Sequence, residues 1–230
     1  MAKKVVTRNY PMSDGDLKQK ADSLTGNLNR DAANFATRGV TNATILNYKS
    51  LITSFDDTPT DEELQGPVMD ATLQKDTAAN ALRMSIRTVR NMAENKFKGE
   101  GFYHSFGFED MADMSDNDLY RLGKRVGRVA NTLLSQLASE GLTAAMITTI
   151  NTQTTALDNA IDAQHAAIEN RDIATQDRII KGNTLWDEMT RLASIGKSIF
   201  VDVDEAKYND YVLIDTPSGN GGNQPPPVNP

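Results

Sequence analysis

Ala36-Thr37-Arg38-Gly39-Val40-Thr41 and Ala138-Ser139-Glu140-Gly141-Leu142-Thr143 carry one pattern twice, 102 residues apart. In each, a glycine stands where a helix has to stop, because it takes the left-handed C′ conformation at low steric cost. The apolar residue after it supplies the C″ contact of a Schellman motif. The threonine after that can cap the next helix. A three-residue stop-and-start of this kind predicts a tight helix–helix corner. Two of them predict an all-α fold built from one helical unit used twice.

The same offset holds on both sides of the corner. Ser13-Asp14-Gly15-Asp16-Leu17 recurs as Ser115-Asp116-Asn117-Asp118-Leu119, and Thr53-Ser54-Phe55-Asp56 as Thr155-Ala156-Leu157-Asp158. Later the offset falls to 96, aligning Lys75-Asp76 with Arg171-Asp172, and then becomes 100, aligning Met92-Ala93 with Leu192-Ala193. The first change shortens a loop, and the second adds about one helical turn. The competing reading is chance similarity between amphipathic helices.

Each repeat opens on an N-cap serine, Ser13 or Ser115, with Asp three residues on. Leu17, Ala21, Leu24, Leu28, Ala32 and Phe35 then form an apolar stripe at helical spacing, matched by Leu119, Leu122, Val126, Val129, Leu133 and Leu137. After the corner comes a short helix with Ile45, Tyr48, Ile52 and Phe55 inward, broken at Asp56-Asp57-Thr58-Pro59. A long helix follows to about Lys96, with a capping box at Thr60–Glu63 and regular helix delayed to Pro67. The second repeat predicts a short helix with Met146, Ile147, Ile150 and Leu157. A long one then runs from about residue 160 to 200, roughly 60 Å at 1.5 Å per residue. Its apolar period near 3.5 favours coiled-coil-like packing.

The organisation expected is therefore an elongated helical bundle. It has an arm at residues 1–12, a first repeat at 13–98, an aromatic linker at 99–114 and a second repeat at 115–201. A short strand follows at 202–215, able to pair with Val5-Val6-Thr7, and then a disordered Pro/Gly-rich tail at 216–230.

Composition narrows the function classes. The 230 residues carry a net charge of -7, which opposes general attraction to nucleic acid or anionic membranes. There is no cysteine, so disulfides, thiolate metal sites and cysteine nucleophiles are excluded. No stretch approaches the ~18 apolar residues of a membrane helix, and the N-terminus lacks a signal-peptide run. A cytoplasmic protein with no membrane insertion is the expectation, with signal-free export or particle association left open. A di-iron carboxylate site needs two Glu-x-x-His pairs. The only histidines are His104 and His165, and neither follows a Glu at that spacing. His165 reads as a buried or half-buried seam residue. No nucleophile–base pair, phosphate loop, metal set or cofactor motif can be named, so no enzyme and no cofactor are expected.

Three features have two readings each. Lys75-Asp76 and Arg171-Asp172 are structural ion pairs or a ligand-binding charge pair. Arg121, Lys124, Arg125 and Arg128, with Arg83, Arg87 and Arg90, are a solvated face or a nucleic-acid surface. Phe102, Tyr103, Phe106 and Phe108 plug the bundle end or form an exposed patch. Gly123-x-x-x-Gly127 allows close helix approach. The interaction patch worth testing is Phe102, Tyr103, Phe106, Phe108, Arg121, Lys124, Arg125 and Arg128.

The linker Gly101-Phe102-Tyr103-His104-Ser105-Phe106-Gly107-Phe108, the segment Lys207-Tyr208-Asn209-Asp210-Tyr211-Val212 and the two corners together resemble a set of uncharacterised duplicated helical proteins of Bacteroidota. The resemblance covers most of residues 13–217. It implies a bacterial source and a duplicated helical fold, and it carries no activity and no functional residue. The function expected is a non-enzymatic structural or protein-interaction protein, an assembly or scaffold component that binds a protein partner or itself. The alternative is a binding module for a small anionic ligand or single-stranded nucleic acid.

Overall fold

The capping residues do what their chemistry dictates. In the computed structural model, which describes residues 5–214, Ser13 accepts from the Asp16 backbone N–H at the start of α1 (Asp14–Arg30), and Ser115 from that of Asp118 at the start of α6 (Asp116–Thr132). Thr41 and Thr44 close a capping box on α3 (Asn42–Asp56), as do Thr60 and Glu63 on α4 (Asp61–Phe97). At the two corners Gly39 and Gly141 have φ of 78° and 93°. Val40 N–H reaches Phe35 O and Leu142 N–H reaches Leu137 O, both at 3.1 Å, the six-to-one bond of a Schellman motif.

The remaining elements are α2 (Ala32–Ala36), α5 (Gly101–His104), α7 (Leu134–Leu137), a 3-10 turn (Ala138–Glu140), α8 (Ala144–Phe200) and α9 (Glu205–Asp210). Among the described residues there is no strand, and the fold is all-α. Residues 216–230, expected to be a disordered tail, lie outside the described residues.

Four expectations change. The stripe helix that opens each repeat is interrupted once, at Asp31 (φ −103°, ψ 18°) and at Leu133 (φ −99°, ψ 12°). The break expected near residue 160 does not occur, and α8 runs unbroken for 57 residues. The physical reason is local: nothing between Leu157 and Ile168 does what Pro59 does after α3. Helix α4 starts at Asp61 rather than at Pro67, which sits inside it. The segment expected as a strand forms α9 instead, because Asp204 caps it by accepting from Lys207 N–H at 3.1 Å.

The chain divides into two compact lobes, with bounds other than those expected from the sequence. Among the described residues the first is 5–58 with 176–214, and the second is Pro59–Thr175. In the first lobe, Leu17, Leu24 and Leu28 of α1 and Tyr48 and Phe55 of α3 share a core with Leu185, Trp186, Met189 and Leu192 of α8. In the second, Leu82, Ile86 and Val89 of α4 meet Leu119, Leu122 and Val126 of α6 and Ile147, Ile150 and Leu157 of α8. Each lobe thus joins part of the 13–98 stretch to part of the 115–201 stretch.

Within the second lobe α4 and α6 run parallel. Lys75 bonds Asp116 at 2.6 Å, Leu82 lies against Gly123, and Lys96 donates to Ser139 at 3.2 Å. Residues 98–115 must therefore retrace roughly 33 Å of α4 to reach the start of α6. Gly123 and Gly127 are buried, and a Cβ on either would collide with Thr154 or Asn151 of α8. The Gly-x-x-x-Gly spacing is used for close helix approach here.

Candidate functional site

The returning linker explains where the aromatics go. Phe106 and Phe108 stack with centroids 4.9 Å apart and are buried in the second-lobe core with Met111. They are removed from the expected interaction patch, because a linker that retraces the bundle presses its alternate apolar residues onto it. Tyr103 is half-buried beside Phe108. Phe102 rests on Phe97 at 5.5 Å and remains 49% exposed. Among the four linker aromatics, only Phe102 stays a surface residue.

The basic members of the patch do assemble. Arg121, Lys124, Arg125 and Arg128 are all exposed and occupy an arc of roughly 100° on α6, opposite Gly123 and Gly127. No Asp or Glu occurs between Asp118 and Glu140. None of the four forms an ion pair among the described residues, and Lys124 sits 5.5 Å over the Tyr120 ring. Arg125 lies across Gly107, whose φ of 68° and bare Cα make room for the guanidinium. Arg121 and Arg125 border an open cavity of about 270 Å³, also lined by Gly107, Met114, Asp118 and Leu122. Arg83 is spoken for, donating to the Met114 carbonyl at 3.2 Å. The matched pairs of the two repeats are ionic: Lys75 binds Asp116 and Asp76, and Arg171 binds Asp172 at 2.9 Å.

A second surface feature of this lobe was not singled out by its sequence. Helix α6 begins only beside Lys75, and within this lobe the first four turns of α4 lie along α8, with Gln164 donating to Thr72 at 2.8 Å. From 61 to 76 only Val68 is buried, and from 161 to 175 only Ile161. Met69, Leu73 and Met84 are 64%, 65% and 67% exposed. They fall within an arc of roughly 60° on the solvent side of α4. Ile173 of α8 is exposed as well. The signal was available: Met69 and Leu73 are out of phase with Val68, Ala79 and Leu82.

In the first lobe the notable cluster is a buried carboxylate. Asp31, with 1% of its side chain exposed, accepts from Arg30 at 2.6 Å, Lys207 at 2.9 Å and the Tyr211 hydroxyl at 2.9 Å. Burial alone would raise its pKa, but the bonds from Arg30, Lys207 and Tyr211 outweigh it and hold the carboxyl at about 2. Tyr211 packs between Phe35 and Phe200, over Gly196, where a Cβ would strike the ring. Asp210 completes the anchor by pairing with Arg30 at 2.8 Å. This cluster fastens the segment after α8 onto α1.

His165 is exposed rather than buried in a seam, because the two-helix stretch leaves its side of α8 uncovered. Trp186 is in the first-lobe core. Among the described residues no group of three or more His, Asp or Glu is placed to hold a metal ion, and no helix is long and apolar enough to cross a membrane. Comparison with family models, with curated proteins and with solved structures finds no match.

Proposed function

We propose that this chain is a non-enzymatic structural or protein-interaction protein, acting as an assembly or scaffold component. The observation that supports the reading is the two-helix stretch of the second lobe. Two helices cannot shield their own apolar residues on all sides, and stable helical architectures use three or more. Met69 and Leu73 are left in water along a face of α4 that continues onto Met84. Exposed apolar side chains in register along one helix face mark a protein contact more often than a lone exposed leucine does. Duplication of one helical unit, supported by the paired corners and caps, belongs to the same reading, as does the resemblance to duplicated helical proteins of Bacteroidota.

The test is the double substitution Met69→Glu with Leu73→Glu. Both positions are exposed, so the helical circular dichroism and the thermal midpoint should hold within about 0.5 kcal/mol. Light scattering should give a wild-type mass that rises with concentration and a variant that remains monomeric. A wild-type protein that is monomeric at high concentration, and that cross-links to no partner, would defeat the reading.

A second reading, a module for a small anionic ligand or single-stranded nucleic acid, is favoured by the α6 face and its cavity. It requires binding of polyphosphate or oligonucleotide that weakens with salt and is abolished by Arg121→Glu with Arg125→Glu.

A further inference from the structure

The two surfaces of the second lobe carry opposite charge. The two-helix stretch holds Asp61, Glu62, Glu63, Asp70 and Asp76 against Lys75 on α4, and Asp162, Glu169 and Asp172 against Arg171 on α8. Glu62 and Asp76 lie within about 40° of the Met69–Leu73 stripe, so the apolar surface is flanked by carboxylates. Lys75 is already committed to Asp116. The α6 face holds four exposed cations along the twenty-one residues from Leu119 to Ser139, with two carboxylates at its margin, Asp118 in the concavity beside Arg121 and Arg125 and Glu109 of the linker near Arg125.

These surfaces cannot meet within one molecule. The stretch ends where α6 begins, at the Lys75–Asp116 bond, and α4 and α6 then run side by side in the same direction. Glu62 lies about twenty residues, or roughly 30 Å of helix, before Leu82, the residue that touches Gly123. Pairing of the stretch with the same stretch of another molecule is opposed by like charge, and juxtaposed like charges suppress a contact. The complement it needs, cationic with an apolar floor, is the α6 face, where Leu122 and Met114 line the concavity between Arg121 and Arg125.

We propose that the acidic, apolar two-helix stretch of one molecule docks on the basic α6 face of a second copy of this chain. The contact joins two different surfaces, so it is head-to-tail and propagates into rings or filaments. This inference rests on the assembly reading above and names its partner.

The test uses two charge reversals at exposed positions of the full chain, Arg121→Glu with Arg128→Glu on the basic face, and Glu62→Lys with Asp70→Lys on the stretch. Sedimentation at low salt should show wild-type protein forming species larger than dimers. These should dissociate when salt shortens the screening length from about 10 Å at 0.1 M to about 3 Å at 1 M. Each variant alone should be monomeric. Mixed in equal amounts they should assemble again, because one intact stretch then finds one intact face and the two reversed surfaces are themselves opposite in charge. Both variants should keep the wild-type circular dichroism. Assembly of either variant at wild-type strength would overturn the docking scheme while leaving the scaffold reading intact. So would a mixture that stays monomeric. A wild-type chain without self-association that cross-links to a different protein would likewise overturn only the docking scheme. Absence of both would defeat the scaffold reading too.

Discussion

Asp31 and Leu133 occupy one backbone situation, a single non-helical residue whose N–H still reaches the carbonyl four residues back at 3.0 Å. Leu133 fills it with a buried apolar side chain, while Asp31 fills it with a buried charge. A carboxylate there is tolerable only because three donors surround it, and truncating a buried charge network leaves the other members unpaired. Its folded pKa of about 2 lies below the ordinary range near 4. The ionised form therefore favours folding at all pH above that range. The contribution fades as pH falls from about 4 through 2. Asp31→Asn should lower stability at neutral pH by on the order of 2 kcal/mol and flatten that acid limb. Urea unfolding followed by the single tryptophan, Trp186, which lines a groove with Tyr211, reads the effect directly. An unchanged midpoint at both pH values would show that Lys207 and Tyr211 hold the segment without the charge.

Helix α8 is the element on which both cores depend, and it contains no proline along its 57 residues. Asn159→Pro would delete one backbone bond and crowd the preceding turn, a loss of about 3 kcal/mol or more. Thermal melting should report that drop, and amide exchange should quicken around residues 155–163. Much of the helical architecture was legible because it is written locally. A capping serine, a glycine stop and an apolar period each act within a few residues, and α1, α3, α4 and α6 follow from them. The continuity of α8 was missed because the Pro59 break was carried from the first repeat to the second, where no breaker stands. Periodicity could not say which stripes pair, since α4 and the second half of α8 offer similar faces to α1 and α6. The candidate site was half legible. Arg121, Lys124, Arg125 and Arg128 are exposed along one side of α6. Phe106 and Phe108 were indistinguishable by residue type from exposed Phe102, and only the path of the linker separates them.

At the scale of the molecule, the two cores share no side chain. A cavity made in one should therefore be felt first in that one. Leu122→Ala and Leu24→Ala should each cost 2–5 kcal/mol locally. Hydrogen exchange should show the first loosening residues 79–161 while residues 14–56 keep their protection, and the second the reverse. Loss of protection across the whole chain with either substitution would mean that the lobes unfold as one. The division at Thr58 and Gln176 also sets an order of events during synthesis. Helices α1 and α3 leave the ribosome with Leu17, Leu24, Leu28, Tyr48 and Phe55 ready to pack, yet Leu185, Trp186, Met189 and Leu192 are made more than a hundred residues later. At about 5–20 residues per second that is a wait of several to tens of seconds. The second lobe, contiguous from Pro59 to Thr175, has all its residues in hand before Leu185 is made. Of the two lobes, the one whose helices α1 and α3 are made before α4 is thus completed after the other, and its unmet apolar faces are where a holding chaperone has the longest opportunity to bind.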